Sequence, residues 1–190
     1  MILELRQYTL KPGQRDVLIA LFEREFVESQ EACGIALPGL FRDRGDPDRF
    51  VWLRGFPDIE SRARALAAFY GGKVWRAHRE AANATMIDSD NVLLLKPGKD
   101  FALPAKGEGP VLVHIVQSDE AFAARFAHEL ARRLDPLAWF VSEQAPNTFP
   151  ALPVREGEEV LVWFARAEAP PLGRPVETLR LEPAARSRLR

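Results

Sequence analysis

The sequence predicts an α+β fold of two tandem ferredoxin-like repeats, and three observations predict it. Strand-type and helix-type periodicities alternate through the first half in the order strand, helix, strand, strand, helix, strand. A stretch rich in Pro and Gly follows, and the remainder then repeats the outline of the first half. A 190-residue chain that is 47% hydrophobic is long enough for one large or two small cores and too apolar for disorder.

Residues 2–10, ILELRQYTL, alternate with period two and read as a strand with two usable faces. Lys11-Pro12-Gly13 breaks the pattern. From there Val17, Leu18, Leu21, Phe22 and Phe26 recur at helical spacing, which predicts a helix over about 13–32 that Gly34 stops. GLFRDR and RFVWLRGF flank Gly45-Asp46-Pro47-Asp48 as the arms of a hairpin. Asp58 is placed to cap a helix that ends at Gly71-Gly72, a second helical piece covers about 73–86, and NVLLLKP at 91–97 is the fourth strand. This order is the split β-α-β pattern, with helices covering one face of an antiparallel sheet.

Residues 96–110 hold three Pro, three Gly and several charges, so the expected organisation is a first domain over 1–97, a linker over 98–109 and a second repeat over 110–190. PVLVHIV at 110–116 resembles the first strand. Ser118 or Asp119 caps the next helix, and LAWFVSE and EVLVWFARA form a strand pair. The echo is clearest between FVWLRGF at 50–56 and LVWFARA at 161–167, with Trp52 and Trp163 at their centres. After Ala167 the prolines deny the second copy its second helix, so it looks trimmed, with VETLRL at 176–181 as its closing strand.

The charge balance narrows the partners. Lys and Arg number 26 against 27 Asp and Glu, which leaves no positive excess for nucleic acid or an anionic membrane surface. No apolar run spans a bilayer, and Glu4 and Arg6 stand where a signal peptide would be apolar, so the expected location is cytoplasmic. The lone Cys33 makes no intramolecular disulfide and reads as a small packing residue. No metal-binding spacing and no phosphate-cradling glycine loop is present, so neither a metal nor another cofactor is expected. The run RDRGDPDR at 42–49 reads as a self-neutralising hairpin tip.

The blocks ELRQYTLKPG (4–13), GLFRDRGDPDRFVWLRGF (39–56) and AFYGGKVWRAHREAAN (68–83) resemble the NIPSNAP family, within the wider dimeric α/β-barrel group. The resemblance covers roughly residues 1–97. It implies a ferredoxin-like unit whose open sheet face packs against that of a second unit to close an eight-stranded barrel. In many relatives another chain supplies the second unit, whereas the tandem copy here implies an intrachain dimeric α/β-barrel, its two antiparallel sheets face to face. The family supplies no agreed catalytic residue.

Strand alternation supplies candidates instead. If Leu3, Leu5, Val51 and Leu53 face the helices, then Glu4, Arg6, Tyr8, Phe50, Trp52 and Arg54 face the interior between the sheets. Such charges need internal partners, water or a ligand; alternatively they pair across neighbouring strands or lie at the wet mouth of the barrel. Trp52, Trp75, Trp139 and Trp163 serve either as core filler or as walls around a flat apolar ligand. His114 is the best acid/base candidate, His78 reaches the barrel rim, and His128 is set aside. Two functions follow. One is a small enzyme like the cofactor-independent monooxygenases or isomerases of the wider group, with Arg54 or Arg6 steadying an oxyanion and His114 or Tyr8 moving a proton. The other is a non-catalytic module for an apolar small molecule or a protein partner, with a homodimer also open.

Overall fold

The computed structural model describes residues 1–98, 109–168, 172 and 174–189. Nearly all of the expected 98–109 linker lies outside these residues. Strand β1 spans Ile2–Leu10. Helix α1 runs Arg15–Leu21, widens into a π-helical turn at Phe22–Phe26 and resumes at Val27–Glu31. Gly34, at φ 82°, adopts the left-handed backbone that ends it at little steric cost. The hairpin follows as β2 (Ala36–Asp43) and β3 (Arg49–Phe56). Helix α2 (Ile59–Tyr70) is capped by the Asp58 carboxylate, which accepts from the Ser61 N–H at 2.6 Å, and α3 spans Lys73–Thr85. Strand β4 covers Met86–Pro97.

The second half repeats β5 (Val111–Gln117), a helix α4 (Glu120–Arg125, a π-helical turn Phe126–Leu130, then Ala131–Leu134), β6 (Ala138–Ser142), β7 (Val160–Ala165) and β8 (Arg174–Pro183). Asp119 rather than Ser118 is the cap of α4, accepting from the Phe122 N–H at 2.7 Å. Among the described residues no helix separates β7 from β8, and none is long and apolar enough to cross a membrane.

One feature departs from the expected pattern. Strand β4 begins at Met86, five residues before the apolar run. Asp88 and Met86 pair with Thr9 and Leu10 of β1 across register shifts. The side chains of 87–90 are mostly exposed, so this end of the strand carries no hydrophobic signature.

The eight strands close into one antiparallel barrel in the order β1-β3-β2-β8-β5-β7-β6-β4. Each half contributes a four-stranded sheet, and the halves join at β2–β8 and β4–β6. Each of these seams aligns only three residue pairs, Phe41–Asp43 against Leu181–Pro183 and Leu95–Pro97 against Phe140–Ser142. Beyond β8 the tail continues along β2. Ala184 N–H donates to the Leu40 carbonyl and Leu189 N–H to that of Pro38, both at 2.8 Å.

Closure puts the two faces of the N-terminal sheet the opposite way round from the alternation-based expectation. Leu3, Leu5, Val51 and Leu53 point into the barrel, where they meet Val113, Ile115, Val162 and Phe164 of the other half. Tyr8, Phe50 and Trp52 pack under the helices, and Glu4, Arg6 and Arg54 share their side of the sheet. The physical reason is partner supply. The barrel centre is filled by apolar side chains of the strands and by Leu189 of the tail, whereas the sheet–helix layer can receive polar partners from the helices as well.

Candidate functional site

The N-terminal sheet–helix layer is built around Glu4. Its carboxylate binds Arg6 at 2.7 Å on its own strand, Arg54 on β3, and Arg62 of α2 at 2.6 Å. All four side chains are 0–1% exposed. Burial alone pushes the Glu4 carboxyl up, but the attraction of Arg54, Arg6 and Arg62 outweighs it and holds the group well below the usual carboxylate range. For Arg6, burial works against the charge, yet Tyr8 and Glu4 raise its affinity for the proton above the ordinary arginine value. Three guanidinium groups share this one carboxylate, so a desolvated positive excess remains. Nη2 of Arg54 and Nη2 of Arg62 have no partner among the described residues.

An aromatic cavity of about 30 Å³ lies in the same layer, with room for one or two water molecules. Its lining includes Tyr8, Phe26, Trp52, Phe69, Tyr70 and Trp75. Trp52 sits beneath two guanidinium groups, with Cζ of Arg6 and of Arg54 at 5.5 and 5.3 Å from its ring centre. The tyrosines connect charge to cavity. Arg6 Nε donates to the Tyr8 hydroxyl at 3.1 Å and Arg54 Nη1 to the Tyr70 hydroxyl at 3.3 Å. Burial is the main force raising the Tyr8 pKa, so at neutral pH its hydroxyl is a donor and not a base. Gln30 Oε1 and Trp52 Nε1, both on lining residues, are buried without partners among the described residues.

The second half supplies a cover. From the segment between β6 and β7, Asn147 Oδ1 accepts from Arg62 Nη1 at 3.0 Å, Thr148 donates to the Ile59 carbonyl, and the Phe149 ring stacks on Tyr70 with centres 6.0 Å apart. Asn147 holds this segment's shape by donating to the Leu152 carbonyl and accepting from the Phe149 N–H.

The corresponding layer of the second half repeats the frame without the charges. His114 stands opposite Trp163 across β5–β7 as Arg6 stands opposite Trp52 across β1–β3. Phe126, which opens the second π-helical turn, lies 5.5 Å from Trp163, as Phe22, which opens the first, lies 4.8 Å from Trp52. The His114 ring stacks on Trp163 at 4.6 Å, and burial lowers its pKa.

The model of the NIPSNAP family matches residues 3–100. The chain belongs to the NIPSNAP family. Two Burkholderia xenovorans structures resemble about half of the chain. A NIPSNAP domain protein is 17% identical, covering 54% of this chain and 99% of its own, with a TM-score of 0.49. A NIPSNAP-like domain protein is 28% identical over 53% of this chain and 88% of its own, also at 0.49. A Lactobacillus acidophilus structure described as a candidate monooxygenase covers 96% of this chain and 93% of its own, at 15% identity and a TM-score of 0.62. That likeness concerns fold alone, and it extends the fold over both halves. No curated protein matches the chain.

In this NIPSNAP chain the residues expected to meet in one interior are divided between two layers. Glu4, Arg6, Tyr8, Trp52, Arg54 and Trp75 come together on the N-terminal side. His78 lies at the outer edge of that layer, a third exposed, with Nε2 3.4 Å from Glu25 and its ring edge-on to Phe26. His114 and Trp163 belong to the other half, so neither faces Arg54 or Tyr8. Arg62, Tyr70 and Gln30 escaped the sequence reading, though a signal exists for two of them. Gln30 follows Phe22 and Phe26 at i+8 and i+4 on the buried stripe of α1, and Arg62 shares the buried stripe of α2 with Leu66 and Phe69.

Proposed function

We propose that this NIPSNAP protein is a small-molecule enzyme that works in the N-terminal sheet–helix cavity on a flat aromatic compound, in the manner of a cofactor-independent monooxygenase or isomerase. The observation that carries the reading is the aromatic cavity set against a buried cluster with excess positive charge. Aromatic walls recognise a planar apolar body, and arginines acting through tyrosine hydroxyls stabilise negative charge that develops on a bound oxygen. Replacing such a cluster by apolar residues costs a fold little or nothing, which makes a purely structural role a poor account of it. In a monooxygenase reaction the substrate supplies the electrons: a CH₂ group and O₂ become a carbonyl and water.

The second reading is a binding module without turnover. What favours it is that no poised proton acceptor stands in the layer among the described residues: Glu4 is held ionised by three arginines, and Tyr8 is a donor. The test screens hydroxylated aromatic compounds by thermal shift, then follows oxygen consumption and product formation with those that bind. Binding with turnover is the expected result. Binding without turnover supports the module, and no shift with any compound overturns both readings.

A further inference from the structure

The cavity's polar complement says more about its ligand than its aromatic walls do. Two of its hydroxyls, on Tyr8 and Tyr70, each accept a guanidinium N–H, and neither donates to any described residue. Trp52 Nε1 is a third unused donor, and Gln30 Oε1 an unused acceptor. All four belong to residues that line the same cavity. An arginine N–H donated to a phenolic oxygen polarises its O–H and makes it a stronger donor. Leaving two buried donors, the half-buried one of Tyr70 and a buried acceptor unmatched is unfavourable, so the complement of the cavity is a group that accepts several hydrogen bonds, with a donor elsewhere on the ligand.

We infer that the ligand is an aromatic carboxylate carrying an O–H or N–H donor, its carboxylate held by the Tyr8 and Tyr70 hydroxyls with the Trp52 N–H and its donor directed to Gln30. This deepens the proposed function and rests on it. Charge supports the carboxylate: three arginines against one glutamate favour an anion. Burial, with the like charges of Arg54 and Arg6 adding to it, lowers the pKa of Arg62 in spite of Glu4, a strain that an arriving anion relieves. Among the described residues the cavity lining holds no base, so the ligand must bring its negative charge with it, and a carboxylic acid does so at neutral pH where a simple phenol does not. A benzoate-sized body exceeds the present volume, so binding requires the lining side chains to move apart.

Isothermal titration at pH 7.5 with 4-hydroxybenzoate, its neutral isostere 4-hydroxybenzamide, and benzoate tests the assignment. The expected order is 4-hydroxybenzoate tightest, benzoate weaker for want of the donor, and the amide weaker than 4-hydroxybenzoate by about tenfold or more, the scale of a hydrogen bond to a charged group. Tyr8→Phe and Tyr70→Phe should each erode the preference for acid over amide, and Gln30→Leu should close the gap between benzoate and 4-hydroxybenzoate. Equal binding of acid and amide overturns this inference and leaves the small-molecule reading standing. An acid preference that survives in the double tyrosine variant, with folding verified by its melting transition, overturns the tyrosine assignment. Binding of none of the three overturns the inference and counts against the reading beneath it.

Discussion

Glu4 holds together three cations from β1, β3 and α2, and its loss leaves them buried with no counter-charge. Glu4→Gln should therefore cost about 3 kcal/mol or more of unfolding free energy, read from urea titrations at pH 7.5, because one removed partner strands the others. A variant as stable as the parent would mean that water reaches the arginines. His114 sets a separate dependence on pH. Burial lowers its pKa from the ordinary 6.5, so below that pH the unfolded chain takes up a proton that the folded chain refuses. Stability should thus fall between pH 7.5 and 5.5, and His114→Gln should flatten the slope; an unchanged slope assigns it to another group. Glu4 does not contribute in that window, since its carboxyl is ionised there in both states, and its share is lost only at more acid pH. At this scale the sequence was legible wherever a residue acts locally: Asp58 as a cap, a second cap at Ser118 or Asp119, and Gly34 as a stop follow from backbone chemistry alone. The direction of each strand face was not. Period two says which side chains share a face, but the identity of that face depends on what closes over it.

Among the elements, the segment between β6 and β7 reaches the site, although it belongs to the opposite repeat. Asn147 ties it to Arg62 and also shapes its turn. Asn147→Ala should speed amide hydrogen exchange over about residues 145–152 by at least tenfold while leaving β7 protected, since the latter's bonds lie in the barrel ladder. Uniform acceleration across both would show that the substitution loosens the whole barrel instead. Nothing in the local pattern of residues 143–159 announces a contact with α2, because the partners stand more than eighty positions apart. The π-helical turns were hidden for another reason. A single widened turn shifts the helical phase too little to disturb a stripe such as Phe22, Phe26 and Gln30.

Over the whole molecule, closure depends on two short seams, and the tail after β8 reinforces one of them. Leu189 is buried with the barrel core, and Ser187 accepts from the Leu40 N–H. Arg186 and Arg188 pair with Glu28 and Glu31 of α1. Leu189→Ala should lower unfolding free energy by about 2 kcal/mol or more, as for a buried leucine truncated in a packed core. Arg188→Ala, which removes an exposed pair, should change it by less than about 1 kcal/mol. Reversed magnitudes would mean that charge, and not burial, fastens the tail. The tandem order of strands was readable because each repeat keeps its local periodicities. The seams were not, since three-residue ladders between distant segments leave no periodic trace.

Joining both repeats in one polypeptide has a consequence for inheritance. In a barrel made by two identical chains, any substitution is stamped on both sides at once, and neither pocket can change without its twin. Here a codon altered at Arg6 leaves His114 untouched, so one layer can hold arginines while its counterpart holds an imidazole against an indole and lends its loop to its neighbour.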